Sequence, residues 1–163
     1  MENILIEQRL LHLLRERGLT FAAAESCTGG LIAKRITDLS GASAVFRGGI
    51  VSYTNEVKRD VLGVPQELLE EHGAVSAPVA QAMAEGALRI SDADLAVSVT
   101  GVAGPDKDDR GNDVGTVFFG IASTRANRAL KVHLQGDRSA IRQQAADHAF
   151  ALLLEETENN LTK

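Results

Sequence analysis

The sequence predicts a single α/β domain spanning residues 1–163, a three-layer α/β/α sandwich built on a mixed sheet. Three observations carry this reading. In the first half of the chain, short apolar runs alternate with stretches of helical periodicity, the order that builds βαβ units. The run Leu95–Thr100 is nearly continuously apolar, as expected of a strand buried on both faces. Two further strand patterns, Gly115–Thr124 and Ala129–Gln135, flank Arg125-Ala126-Asn127 and read as a hairpin, so part of the sheet is antiparallel.

The elements follow in order. Asn3–Arg17 reads as a helix, with Ile6, Leu10, Leu13 and Leu14 on one stripe and Gly18 placed to end it. Thr20–Glu25 is the first strand. Thr28–Leu39 is the next helix, its apolar face formed by Leu31, Ile32, Ile36 and Leu39, with Gly41 behind it. Val45–Tyr53 reads as a second strand, and Gly48-Gly49 within it signals a bulge or a close backbone approach. Asn55–Leu62 is a short helix stopped by Gly63, and Pro65 opens another that ends near His72-Gly73. Ser76–Ile90 is a longer helix, with Ser76 as N-cap and Pro78 in the first turn. Gly101–Asp113 is a polar loop, and its acidic run Asp106–Asp113 is expected to be mobile. Asp137 caps a last helix running to about Glu156, leaving Thr157–Lys163 as a frayed tail. There is no internal repeat and no low-complexity linker.

Composition bounds the function. Apolar residues make up 44% of the 163, enough for a sizeable core, while aromatics are 4% and tryptophan is absent, so that core is aliphatic and alanine-rich. The formal charge of −5 argues against a nucleic-acid partner, which meets a basic surface. No apolar run approaches the ~20 residues of a membrane span. No signal-peptide pattern opens the chain, and its one cysteine cannot form an internal disulfide. These features point to a cytoplasmic protein that does not contact a membrane.

Three strand ends carry unusual residues: Ser26-Cys27-Thr28-Gly29-Gly30, Tyr53-Thr54-Asn55-Glu56-Val57-Lys58 and Thr100-Gly101-Val102-Ala103-Gly104-Pro105. Ligands of open α/β sheets bind outside the carboxyl ends of strands. If the first two strands are parallel neighbours, Ser26, Tyr53 and Lys58 meet at one edge. Ser26 then holds an anion, caps the following helix or acts as a nucleophile, and the residues alone leave all three open. As a nucleophile it needs a base. Lys58 serves if its pKa is lowered, and Tyr53 would relay the proton or fix the lysine. The backbone N–H groups of Cys27, Thr28 and Gly29 could stabilise an oxyanion, and Gly29 and Gly30 admit a substrate close to the backbone. Each residue also has a structural reading: Ser26 and Thr28 as caps, Lys58 as a solvated helix residue, Cys27 as a small buried hydrophobe. Arg138 and Arg142 share a face at the start of the last helix, suited to a phosphate or carboxylate or simply solvated. His12, His72, His133 and His148 have no metal-ligand spacing.

Taken together and in this order, Ala24–Gly30, Gly49–Lys58, His72–Ser76, Thr100–Pro105, Val114–Val117 and Gly136–Arg138 with Arg142 resemble the CinA C-terminal domain family, the nicotinamide-nucleotide amidases. The resemblance runs from about Gln8 to Leu154. It implies an α/β/α fold, hydrolysis of the carboxamide of nicotinamide mononucleotide to nicotinate mononucleotide and ammonia, no cofactor or metal, and a homodimer or higher homo-oligomer. It implies Ser26 as nucleophile, Tyr53 and Lys58 as its activating pair, and Arg142 on the substrate phosphate, with Thr100, Gly101, Gly104 and Arg138 around the substrate. Family members often carry a glycine pair after Gly-Pro, whereas Asp106-Lys107-Asp108-Asp109 follows Pro105 here. The competing reading is a non-catalytic nucleotide-binding or regulatory module related to competence or damage-inducible proteins, with Ser26 only a cap.

Overall fold

A computed structural model describes residues 3–160. Helix α1 (Ile6–Arg17) leads into β1 (Phe21–Glu25), α2 (Leu31–Thr37) and a 3-10 turn, Ala42–Ala44. The chain continues through β2 (Phe46–Val51), α3 (Asn55–Asp60), α4 (Gln66–His72), α5 (Ala77–Ser91) and β3 (Leu95–Gly101). Strands β4 (Thr116–Ser123) and β5 (Asn127–His133) form the hairpin, and α6 (Arg138–Asn160) closes the fold. The sheet order is β2-β1-β3-β4-β5. β1 pairs parallel with both β2 and β3, while β3–β4 and β4–β5 are antiparallel. The sheet is therefore mixed, as its apolar and hairpin patterns predict.

Side-chain alternation explains the layers. On β1, Phe21 and Ala23 join Leu10, Leu14, Ile32, Ile36 and Phe150 on one face of the sheet. Ala22 and Ala24 join Leu62, Val79 and Met83 on the other. Helices α1, α2 and α6 cover the first face and α5 the second, each through an apolar stripe. Small residues on β1 let helices approach a strand that is buried along its whole length.

Several elements differ in extent from their sequence reading, for local reasons. α1 starts at Ile6, where the Gln8 side chain accepts from the Leu5 N–H at 2.9 Å. α2 begins only at Leu31, because Gly30 sits at φ 104°, outside helical space. At Gly48-Gly49 both sequence alternatives hold. The β1–β2 register slips beside Phe46, and a Cβ on Gly49 would lie 3.2 Å from that of Ala33. Ser76 occupies the N-cap position without capping, since its hydroxyl donates to the Gly73 carbonyl at 2.8 Å. The hairpin turn is tighter than its sequence reading, with β5 starting at Asn127.

The last helix does not fray after Glu156. It continues to Asn160, and Thr157 is fully buried, its hydroxyl bonded to Leu153 O at 2.7 Å and its carbonyl accepting from Arg17. Residues 161–163 of the expected tail lie outside the described residues. The loop 106–113 is pinned rather than free. Asp108 accepts from the Arg110 and Asn112 N–H groups at 3.1 and 2.7 Å. Arg110 in turn caps the C-terminal carbonyls of α4, at Leu69, Glu70 and Glu71. Among the described residues no helix is long and apolar enough to cross a membrane.

The contact that seats the α3–α4 connection against α5 is a close one. A Cβ on Gly86, inside α5, would stand 2.0 Å from the carbonyl oxygen of Leu62. Glycine-to-alanine changes inside helices ordinarily gain about 1 kcal/mol. Here the added methyl cannot fit, so Gly86→Ala should instead lose about 1–3 kcal/mol. Urea unfolding checks this: the midpoint should fall, and a raised midpoint would show that Leu62 does not pack on α5 in this way.

Candidate active site

β1 lies between β2 and β3, so the connections after β1 and β3 open on the same sheet edge at the point where strand order reverses. Such switch points are where α/β sheets bind ligands. Ser26 is the first residue past β1. Its N–H still donates to Val99 O at 2.9 Å, so the β3 ladder fixes it. Beyond it the chain turns sharply: the Gly29 N–H returns to Ser26 O at 3.1 Å, and Gly29 and Gly30 take φ values of 60° and 104°. Such angles suit residues without a Cβ.

The turn is gripped by a fully buried carboxylate. Glu25 accepts from the Thr28 hydroxyl at 2.6 Å and from the N–H groups of Ile32 and Ala33 at 2.9 and 3.1 Å. It thereby satisfies the open first turn of α2, a job expected of a cap residue. Thr28 contributes as Glu25's partner and not as a cap in its own right. Arg142 reaches the turn from α6, donating to Cys27 O and Thr28 O at 3.0 Å each. The N–H groups of Cys27 and Thr28 donate to no oxygen among the described residues.

Lys58 arrives on α3, which Thr54 caps by accepting from the Val57 N–H at 3.3 Å. The lysine is 1% exposed. Its Nζ lies 2.9 Å from Ser26 Oγ, 2.7 Å from Ser52 O and 3.3 Å from Tyr53 O. Among the described residues no carboxylate pairs with it. Burial without a counter-ion disfavours the ammonium form and pushes the Lys58 pKa down to about 8. A neutral amine has two hydrogens for the two carbonyls and a lone pair for the third direction, which Ser26 Oγ occupies. Burial acts oppositely on Cys27, whose thiol is pushed up to about 12 and stays protonated near neutral pH.

Ser26 and Lys58 line a cavity of about 410 Å³ together with Tyr53, Thr100, Gly101, Gly104 and Arg138. The Thr100 hydroxyl is fixed on Ala74 O at 2.9 Å. Arg138 donates to Gly104 O at 2.6 Å and to the Tyr53 hydroxyl at 3.3 Å. The Tyr53 ring is thus exposed at the cavity rim. What it presents to Lys58 is its carbonyl, and its hydroxyl makes no hydrogen bond with Lys58 or Ser26. Arg142 holds the turn and is not part of the cavity lining. Sequence reasoning gave Glu25 no role, although an acidic residue ending an apolar strand just before a helix is a signal that could have found it. It also missed that Asp106 and Asp108 reach the cavity. Among the described residues no His, Cys, Asp and Glu side chains converge as a metal site would require.

Comparison with known proteins agrees with this architecture. A CinA-like protein of Geobacter sulfurreducens is 52% identical over 141 residues, covering 86% of this chain and 34% of its own length, so this chain spans about a third of that relative. Nicotinamide-nucleotide amidohydrolase PncC of Escherichia coli strain K12 is 45% identical over 153 residues, which cover 93% of each chain. The crystal structure of a competence-damaged protein (CinA) superfamily member from Klebsiella pneumoniae 700603 superposes with a TM-score of 0.91 at 34% identity, covering 94% of this chain and 96% of that one. The model of the CinA C-terminal domain matches residues 4–157, and the chain belongs to that family.

Proposed function

We propose that this protein hydrolyses the carboxamide of nicotinamide mononucleotide to nicotinate mononucleotide and ammonia, with Ser26 as nucleophile and Lys58 as its base. The observation that carries the reading is the buried Lys58 amine, 2.9 Å from Ser26 Oγ. The name of the Escherichia coli relative, which matches this chain along nearly its whole length, supports the substrate. The cavity lies within the ~300–1,000 Å³ typical of small-molecule sites. It carries both signs of charge, Arg138 and the Asp106 carboxylate, which suits a substrate bearing a phosphate and a pyridinium ring.

In the first step Ser26 Oγ attacks the carboxamide carbon while its proton passes to the Lys58 lone pair. The carbonyl oxygen gains negative charge, for which the N–H groups of Cys27 and Thr28 are available donors. The C–N bond then breaks, and Lys58 returns the proton to the departing nitrogen, which leaves as ammonia. Water attacks the acyl-serine, Lys58 takes a proton again, and the nicotinate carboxylate is released with Ser26 restored. Tyr53 closes the cavity rim beside Arg138, and Arg138 meets the phosphate. Thr100, Gly101 and Gly104 shape the floor on which the ring rests.

Ser26→Ala should abolish ammonia release while the protein still folds, since loss of the hydroxyl removes one contact of Lys58 and leaves the Glu25 grip intact. Cys27→Ser should keep most activity, because a thiol held near 12 supplies almost no thiolate. A coupled assay for ammonia decides both. Ser26→Ala turning over at wild-type rate, or a dead Cys27→Ser, would transfer the chemistry away from Ser26. Binding of the nucleotide by the wild-type protein without ammonia release would favour a non-catalytic module instead.

The base also sets a pH dependence. Below about pH 8 Lys58 becomes an ammonium ion and cannot accept the serine proton, so kcat/KM should rise with pH and level off above about 8. Lys58→Arg keeps a charge that never comes off and should lose about 10²–10⁴ in rate. A flat profile from pH 6 to 9, with an active Lys58→Arg, would remove lysine as the base.

A further inference from the structure

We propose that Arg142 is a positioning residue that sets the conformation of the turn carrying Ser26. The proposal deepens the reading of Ser26 as nucleophile and rests on it. Ser26 is held on one side by its N–H bond to Val99 O, and α2 is held on the other by Glu25. Between these anchors run Cys27, Thr28, Gly29 and Gly30, which belong to no ladder and end in two glycines at positive φ. The Thr28 hydroxyl on Glu25 and the Gly29 N–H on Ser26 O tie this stretch from within, but neither holds the Cys27 carbonyl, and glycines resist displacement least of all residues. Arg142 supplies that hold. Its Nε–H donates to Cys27 O and an Nη2–H donates to Thr28 O, both at 3.0 Å, a fork that grips two successive carbonyls. The guanidinium also packs closely, since a Cβ on Gly29 would lie 3.2 Å from Nη2.

Peptide planarity converts this grip into aim. In a trans peptide the C=O and the following N–H point to opposite sides. Fixing the Cys27 carbonyl on Arg142 therefore directs the Thr28 N–H away from the guanidinium, and fixing the Thr28 carbonyl does the same for the Gly29 N–H. The latter closes the turn on Ser26 O at 3.1 Å. The arginines four residues apart on α6 thus divide their work: Arg138 lines the cavity, and Arg142 orients the backbone on which the nucleophile rides. This differs from the role implied by the family resemblance, in which Arg142 holds the substrate phosphate.

The test measures Arg142→Ala and Arg142→Lys in two ways: steady-state ammonia release from nicotinamide mononucleotide, and the rate at which a fluorophosphonate probe labels Ser26. The lysine variant keeps the charge but offers a point donor in place of the fork, so it supports the comparison even if the alanine variant does not fold. A positioning role predicts kcat and labelling both lowered about 10- to 100-fold in both variants, with KM within about twofold of wild type. A KM raised tenfold or more at unchanged kcat, with labelling at wild-type rate, would make Arg142 a phosphate ligand and overturn the proposal. If the wild-type protein releases no ammonia, the amidase reading fails by itself. The labelling rates then still decide the role of Arg142, slowed labelling upholding it and unchanged labelling refuting it.

Discussion

The arrangement depends on one uncompensated charge site. Lys58 is enclosed to 1% exposure with a serine hydroxyl and two backbone carbonyls as its partners, and without a carboxylate among the described residues. Burying an ammonium ion in this way is costly, and the cost lowers the lysine's pKa to about 8, so that its proton comes off far more easily than an ordinary lysine's. On the proposed reading, what would be a liability in an ordinary core is the means of activating a weak nucleophile. The rest of the fold serves to keep that amine dry and to hold Ser26 against it.

Two devices achieve this. The first is topology: with β1 between β2 and β3, Ser26 and the segment from Ser52 to Lys58 emerge side by side although they are far apart in sequence. The link is direct, for Ser52 N–H donates to Glu25 O at 2.8 Å. The second is the Glu25 carboxylate, which gathers Thr28 and the first turn of α2 into one buried hydrogen-bonded unit. A carboxylate there faces the positive end of the helix and has three donors, the conditions under which a buried charge is tolerated.

Much of this was legible in the sequence, and the parts that were not share a cause. The parallel pairing of β1 and β2 could be read from the alternation of strands and helices, and it made the meeting of Ser26 and Lys58 an expectation. Glu25 was signalled only by its place between an apolar strand and a helix, because most of its partners are backbone N–H groups at Ile32 and Ala33, whose availability depends on where α2 begins. Arg138 and Arg142 share a helix face, so spacing alone could not say which reaches the cavity. The charged loop 106–113 looked mobile by composition, yet Arg110 finds the carbonyl end of α4, some 40 residues away in sequence. In each case the deciding partner is main chain, and main-chain positions carry no signature in the residue pattern.

The most direct test of the account is the titration of Lys58 itself. Lysine side chains labelled with carbon-13 at Cε report protonation by chemical shift, and Lys58→Met identifies the signal by its loss. The account predicts a midpoint near 8 for Lys58 in the free protein, well below the ~10.4 of an ordinary lysine. A midpoint at or above the ordinary value would mean that the amine stays charged well above pH 8, and Lys58 could not then be the base that activates Ser26.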